Sequence, residues 1–258
     1  MTEFSGRADP DRILPLLWRH KAAADGHKPA TGRPAKLTVD TVVSAGIALA
    51  DVDGLAATSM ARLAAQLGVG TMTLYTYVPS RNELIDLMVD EVLASRALPG
   101  PDEPRPEGWR AQVELYAERT RAMYVEHPWL AQVSTVRPPI GPGMLAEREY
   151  VLSTVSNLGL APDRVNTAAL TISAFVTAAA RLDAENAQLR RATGQSNDAW
   201  WRQRNELWED WFDVERHPTM TKLWHAGGFD RGADEQFGDA YAYGLQLLLN
   251  GIEADASR

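Results

Sequence analysis

Apolar positions recur at helical spacing along most of this chain, and no stretch shows the alternation of a strand. A first helix is predicted over 38–53, with Val42, Val43, Ile47, Leu49 and Ala50 apolar. Two short helices follow within 59–77, and a longer one over 80–96 carries Leu84, Ile85, Leu87, Met88, Val92 and Leu93. The segment ALPGPDEPRPEG then places four prolines in twelve residues, as at a domain edge. Beyond it, helical patterns run over about 107–126, 128–136, 143–158, 162–190, 197–215 and 233–254. They are interrupted by PPIGPG at 138–143, Gly194, and AGGFDRGAD at 226–234. The pattern predicts an all-α protein in three parts. Residues 1–36 form a leader and basic arm, partly disordered. Residues 37–96 hold an N-terminal three-helix domain with its connecting fourth helix, and 97–258 a larger C-terminal helical domain. Within the leader, ILPLLWRH (13–20) suits one or two helical turns, and its docking is left open.

Residues 59–84, SMARLAAQLGVGTMTLYTYVPSRNEL, have the requirements of a helix-turn-helix. Ala64 is small enough for two helices to cross, and Gly68 suits the turn because glycine enters the left-handed region without a Cβ penalty. Leu63, Leu67, Val69 and Leu74 supply the plugs beneath the second helix. Ser59 and Gly70 suit the two N-caps, and Ser80 with Glu83 is spaced as a capping box for the next helix. An αα-hairpin of purely structural purpose could share the Ala and Gly spacing. Thr71, Thr73, Tyr75, Thr76 and Tyr77 argue otherwise, because Thr and Tyr are indifferent helix formers and these five offer hydrogen-bonding groups to solvent.

Residues 38–95 closely resemble the DNA-binding domain of the tetracycline-repressor (TetR) family of bacterial regulators. The matching pieces are GIALADVDGLAATSM, LAAQLGVG, TLYTYV and SRNELIDLMVDEVL, with the basic TGRPAK arm ahead of them. Gly70 stands where many members carry Ser, Val78 where many carry Phe, and Met72 where small residues are common. The resemblance implies a short recognition helix in the major groove of double-stranded operator DNA. Thr71, Met72, Thr73 and Thr76 are expected to face bases, and Tyr75, Tyr77 and Arg81 to face phosphates. Arg33 and Lys36 would follow the backbone or enter a minor groove, and Arg62 would add a backbone contact. It also implies a homodimer in which the helices near 162–190 and 233–254 pair with their copies. Ile172, Phe237, Tyr241, Leu245 and Leu248 are the nominated interface residues, with packing inside one subunit as the alternative.

The C-terminal part is distinguished by tryptophan: four of the chain's eight fall within 200–211. Aromatic walls suit flat, apolar effectors, although an aromatic stripe at helical spacing also describes a core. The candidate effector contacts are Trp109, Tyr116, Met123, Trp129, Phe175, Trp201, Trp208 and Trp211.

Charge refines this picture. The net charge of −8 seems unsuited to DNA, but residues 1–81 carry nine Lys/Arg against seven Asp/Glu, and the remainder 17 against 27. An acidic body with a mildly basic head presents one end to DNA. No cysteine is present, which removes disulfides and thiolate chemistry and suits a cytoplasmic setting. His127, His217 and His225 lack metal-ligand spacing, so no metal or cofactor is expected. The apolar run 168–180 is too short to span a bilayer, and no enzyme fingerprint appears. The reading is a ligand-responsive transcriptional regulator and not an enzyme: a repressor released from a palindromic operator by a small hydrophobic or aromatic molecule. An effector-independent activator or architectural DNA-binding protein is the alternative.

Overall fold

The computed structural model describes residues 3–24 and 37–257, and they are helical nearly throughout. The chain divides into two compact units, residues 1–184 and 185–258.

The first unit opens with a two-residue strand, β1 (Glu3–Phe4), then α1 (Pro10–Leu17) and α2 (Arg19–Ala24). Asp9 caps α1 by accepting from the Asp11 amide, and Ile13 and Leu17 are buried. Leu14 of the same helix points to solvent. The helix-turn-helix head follows in α3 (Val39–Asp53), α4 (Met60–Leu67), α5 (Thr71–Tyr75) and α6 (Arg81–Ser95). Thr38 caps α3 and Ser59 caps α4 through side-chain oxygens that accept backbone N–H groups. Gly68 ends α4 in the left-handed conformation, φ 67°, while the Val69 amide reaches back to the Ala64 carbonyl at 3.0 Å. No atom would crowd a Cβ at Gly68, so only backbone strain opposes substitution. Gly68→Ala should therefore cost about 1 kcal/mol by urea denaturation.

Val42, Val43, Leu63, Leu74, Val78, Leu84 and Met88 are essentially inaccessible and form the centre of this head. Ser80 begins α6, but not as a full capping box. Its Oγ accepts the Asn82 amide and donates to the Glu83 carboxylate, so the pair bonds side chain to side chain.

The rest of this unit holds α7 (Trp109–Glu126), a 3₁₀ segment (Pro128–Gln132), β2 (Val133–Ser134), α8 (Pro142–Val155) and most of α9 (Pro162–Thr193). The helix expected over 128–136 is thus a short 3₁₀ turn that runs into a strand, and β2 pairs in parallel with β1. No period-2 signal could have announced a pairing of two residues on each side. At 32 residues α9 outgrows the apolar run read from the sequence and is long and apolar enough to cross a membrane. Its outward stripe mixes small and hydroxylated residues, among them Thr167, Thr171, Ala174 and Ala178.

The second unit continues with α10 (Asn197–Arg202), a π-turn (Leu207–Trp211), α11 (Pro218–His225) and α12 (Ala233–Ala256). The single helix expected over 197–215 is therefore broken. The Asp198 carboxylate accepts the Ala233 amide at 2.6 Å, and Asn197 bridges Asn186 and Asp234, which ties α10 to the start of α12.

Candidate nucleic-acid interface and aromatic cavity

The face of α5 follows from one anchor. Leu74 is fully buried, and Val78 below it is as well. With Leu74 turned inward, Met72, Thr73, Tyr75 and Thr76 turn outward, and Met72 is 78% exposed. Thr71 and Tyr77 are half-buried. The Thr76 hydroxyl donates to the Thr73 carbonyl at 2.6 Å, leaving its lone pairs and methyl for a partner. The helix is short, but glycine turn and anchor together present four adjacent side chains on a rigid support.

The cations behave differently from the sequence-based expectation. Arg62 pairs with Asp53 at the end of α3. Arg81 is spent within the chain: its guanidinium donates to the Glu3 carboxylate at 2.8 Å and to the Thr58 and Leu55 carbonyls at 3.1 Å each. It therefore binds the leader to the approach of α4 and is not held ready for a phosphate. Arg33 and Lys36 lie outside the described residues.

The second feature is a cavity of about 1070 Å³, open to solvent on one side, within residues 185–258. Its walls include Trp201, Trp208, Phe212, Trp224, Phe229 and Phe237, with Met220, Asp198, Arg202 and Glu209. Trp208 is the hub: it stacks on Trp201 at 6.2 Å between ring centroids and meets Phe212 and Trp224 at 5.3 Å each. The break of the expected helix at the π-turn brings these rings together, since α10 and α11 contribute from separate segments.

Residues 101–256 match the model of the tetracyclin repressor-like C-terminal domain, and residues 42–88 that of the tetR family of bacterial regulatory proteins. The chain belongs to the TetR family. A transcriptional repressor of Streptomyces coeruleorubidus, DrrR1, is 38% identical over 98% of this chain and 88% of its own length. ActR of Streptomyces coelicolor, solved in complex with actinorhodin, superposes with a TM-score of 0.69 at 28% identity. The match covers 87% of this chain and all of that one, and apo ActR gives 0.68 with the same identity and coverage. The family evidence points to a regulator of transcription and away from an enzyme.

Within this TetR chain, several residues nominated for effector contact prove to be core. Tyr116, Met123 and Trp129 are buried. Tyr116 donates its hydroxyl to Glu147 at 2.6 Å, and Glu147 also takes the buried Arg96 guanidinium. Burial and the neighbouring Glu147 push the Tyr116 phenol well above its usual range. The Trp129 indole N–H goes to Asp51 on α3 at 2.9 Å, and His127 Nδ1 lies at 2.9 Å from the same oxygen. Trp109 and Phe175 are half-buried, with the Arg110 guanidinium over the Trp109 ring. Trp201 and Trp208 line the cavity, whereas Trp211 is 79% exposed and lies outside it.

The dimer candidates divide in the same way. Ile172 and Leu245 are buried within their own chain, which withdraws them from contact with a second copy. Tyr241 and Leu248 are half-buried, and Phe237 faces the cavity. Of the stripe nominated on α12 only Leu245 is buried, and Phe237 is itself 52% exposed, so that face is only partly covered. The outward face runs through Tyr243, Leu247, Gly251 and Ala254.

Proposed function

We propose that this chain is a homodimeric repressor that reads a palindromic operator with α5 and releases it when a flat, apolar molecule occupies the aromatic cavity. The outward face of α5 carries the reading: Met72, Thr73, Tyr75 and Thr76 stand on a buried Leu74 in a helix-turn-helix. Thr73 and Thr76 offer hydroxyls and methyls to base edges, Met72 suits a thymine methyl, and Tyr75 reaches a phosphate. Because Arg62 and Arg81 are engaged inside the head, attraction to the backbone falls to the arm that carries Arg33 and Lys36. The outward stripes of α9 and α12, with Leu170, Leu182, Tyr243 and Leu247 exposed, give a second copy two surfaces to cover. Two heads about 34–36 Å apart would then meet successive major grooves.

Release is a population shift. An effector that binds better to a state with the heads wrongly spaced weakens the operator, and the operator weakens the effector by the same coupling energy. Two observations support this: the cavity itself, and the complex of ActR with actinorhodin, a relative at 28% identity. Absence of any response to apolar ligands would favour the architectural alternative.

The test is a selection of DNA from a random pool by the purified protein, followed by anisotropy titrations. A palindrome should emerge. Tyr75→Ala should weaken all sequences alike, and Thr73→Ala should cost about 1–3 kcal/mol on the selected site with little change on others. Equal affinity of parent and both variants for every sequence would refute the assignment.

A further inference from the structure

Residues 3–20 touch both the helix-turn-helix head and the segment from β2 to Ile140. The β1 strand adds in parallel to β2, pairing Glu3 with Val133 and Phe4 with Ser134. The buried Ser5 hydroxyl lies 2.9 Å from the Arg137 carbonyl and 3.1 Å from that of Ser134. Gly6 adopts φ 67°, and a Cβ there would sit 2.4 Å from the Arg137 carbonyl oxygen. Only glycine meets both demands. The Gly6 N–H then donates to the Asp86 carboxylate on α6 at 2.8 Å, and the Ala8 amide nearby favours its charged form. Further along, Ile13 and Leu17 are buried in the same core cluster as α6 residues Leu84 and Met88. The Trp18 indole N–H donates to the Ile140 carbonyl at 3.0 Å, and Arg19 closes on Asp40 of α3 and Glu91 of α6. Glu3 holds Arg81, which in turn holds the carbonyls of Leu55 and Thr58 just ahead of α4.

Asp86 is the informative member of this set. It is almost wholly buried, and the backbone amides that favour its charged form belong to the leader. Burial raises its pKa, an effect those amides oppose. A buried carboxylate that loses its donors is costly, so the leader and α6 hold each other in place.

We propose that residues 3–20 are an intramolecular clamp that fixes the helix-turn-helix head against the body at β2 and the segment through Ile140, with Asp86 as the positioning residue through which the leader holds α6. The consequence for operator spacing rests on the reading of α5 given above. The clamp itself is a statement about the distance between head and body.

The chain has no cysteine, so Gln66→Cys on α4 and Glu118→Cys on α7, both exposed, take a spin-label pair without competition. Full-length labelled protein, diluted about tenfold with unlabelled protein so that each chain reports alone, gives the head-to-body distance distribution by double electron–electron resonance. Gly6→Val, which cannot seat against Arg137, should broaden that distribution about twofold while circular dichroism keeps its helix content. Ser5→Ala should broaden it less. Asp86→Ala should broaden it, and Asp86→Asn, which keeps one carbonyl oxygen for the Gly6 N–H, should restore much of the parental width. Distributions as narrow as the parent's in Gly6→Val and Ser5→Ala, with or without a lowered melting temperature, would overturn the clamp. The measurement contains no DNA. A failed operator selection would therefore refute the reading of α5 and leave the distance result to decide the clamp.

Discussion

Gly143→Ala is expected to cost at least about 3 kcal/mol of folding stability. A Cβ at Gly143 would lie 2.1 Å from the Asp90 carbonyl oxygen and 2.8 Å from the Ala94 amide nitrogen, both on the backbone of α6. Neither atom can yield by rotating a side chain, so the start of α8 must lift away from α6. That movement breaks a second set of interactions. The buried Asp90 carboxylate accepts the Gly143 N–H at 3.1 Å and the Met144 N–H at 2.9 Å, at the positive end of α8. Burial raises the pKa of Asp90, and those two amides partly compensate. Separating α8 from α6 therefore adds an under-solvated carboxylate and two unpaired donors to the steric cost, at about 1–3 kcal/mol for each lost group. Overpacking alone costs about 1–3 kcal/mol. For a unit of this size each kcal/mol lowers the melting temperature by about 2–4 °C, so a fall of about 6–12 °C is expected by calorimetry. Gly68→Ala is the internal control, because there the added methyl meets open space and only backbone strain is felt. Equal effects at the two positions would show that α8 does not rest on the backbone of α6.

The contrast between these glycines also shows what the sequence could reveal. Gly68 was legible because a turn between two amphipathic helices demands a left-handed residue, and the demand is local. Gly143 was not, because its constraint comes from a helix fifty residues earlier. The head as a whole was legible for the same reason as Gly68. Its caps at Ser59 and Ser80, its plugs at Leu63 and Leu74 and its outward hydroxyls all lie within one continuous stretch. Arg81 marks the limit. Its position at the start of α6 suggested a phosphate contact, but its partners Glu3, Leu55 and Thr58 are set by tertiary structure. The leader was opaque for a related reason. A two-residue strand has no period, and the pairing of Ser5 and Gly6 with residues some 130 positions away leaves no local trace. In the body, tryptophan density pointed to the segment that lines the aromatic cavity, with Trp201 and Trp208 on its wall. It could not separate these from Trp211, because the π-turn that turns Trp211 outward interrupts the helical phase on which the grouping relied.

That separation can be measured. Trp208→Ala is expected to reduce the response to a flat, apolar effector by about 100-fold or more, while operator affinity without effector stays at the parental value. Trp208 is the ring on which Trp201, Phe212 and Trp224 all converge, so truncation removes the surface that three other walls share. Aromatic anchors at the centre of a pocket cost about 2–4 kcal/mol or more when truncated, because the ligand loses stacking area and water enters. The residues lining the cavity all lie within 185–258, and those that shape α5 lie within 1–184, which is why the unliganded operator affinity should hold. The experiment titrates a panel of planar aromatic compounds against labelled operator and records the concentration that releases half of it. Trp211→Ala is the matched comparison, since it removes an equally large ring from outside the cavity and should leave that concentration unchanged. Identical release from the parent and from Trp208→Ala would move the effector out of this cavity. A loss confined to Trp211→Ala would instead place the effector on the exposed side of the π-turn, where a second copy or a ligand would have to cover the ring.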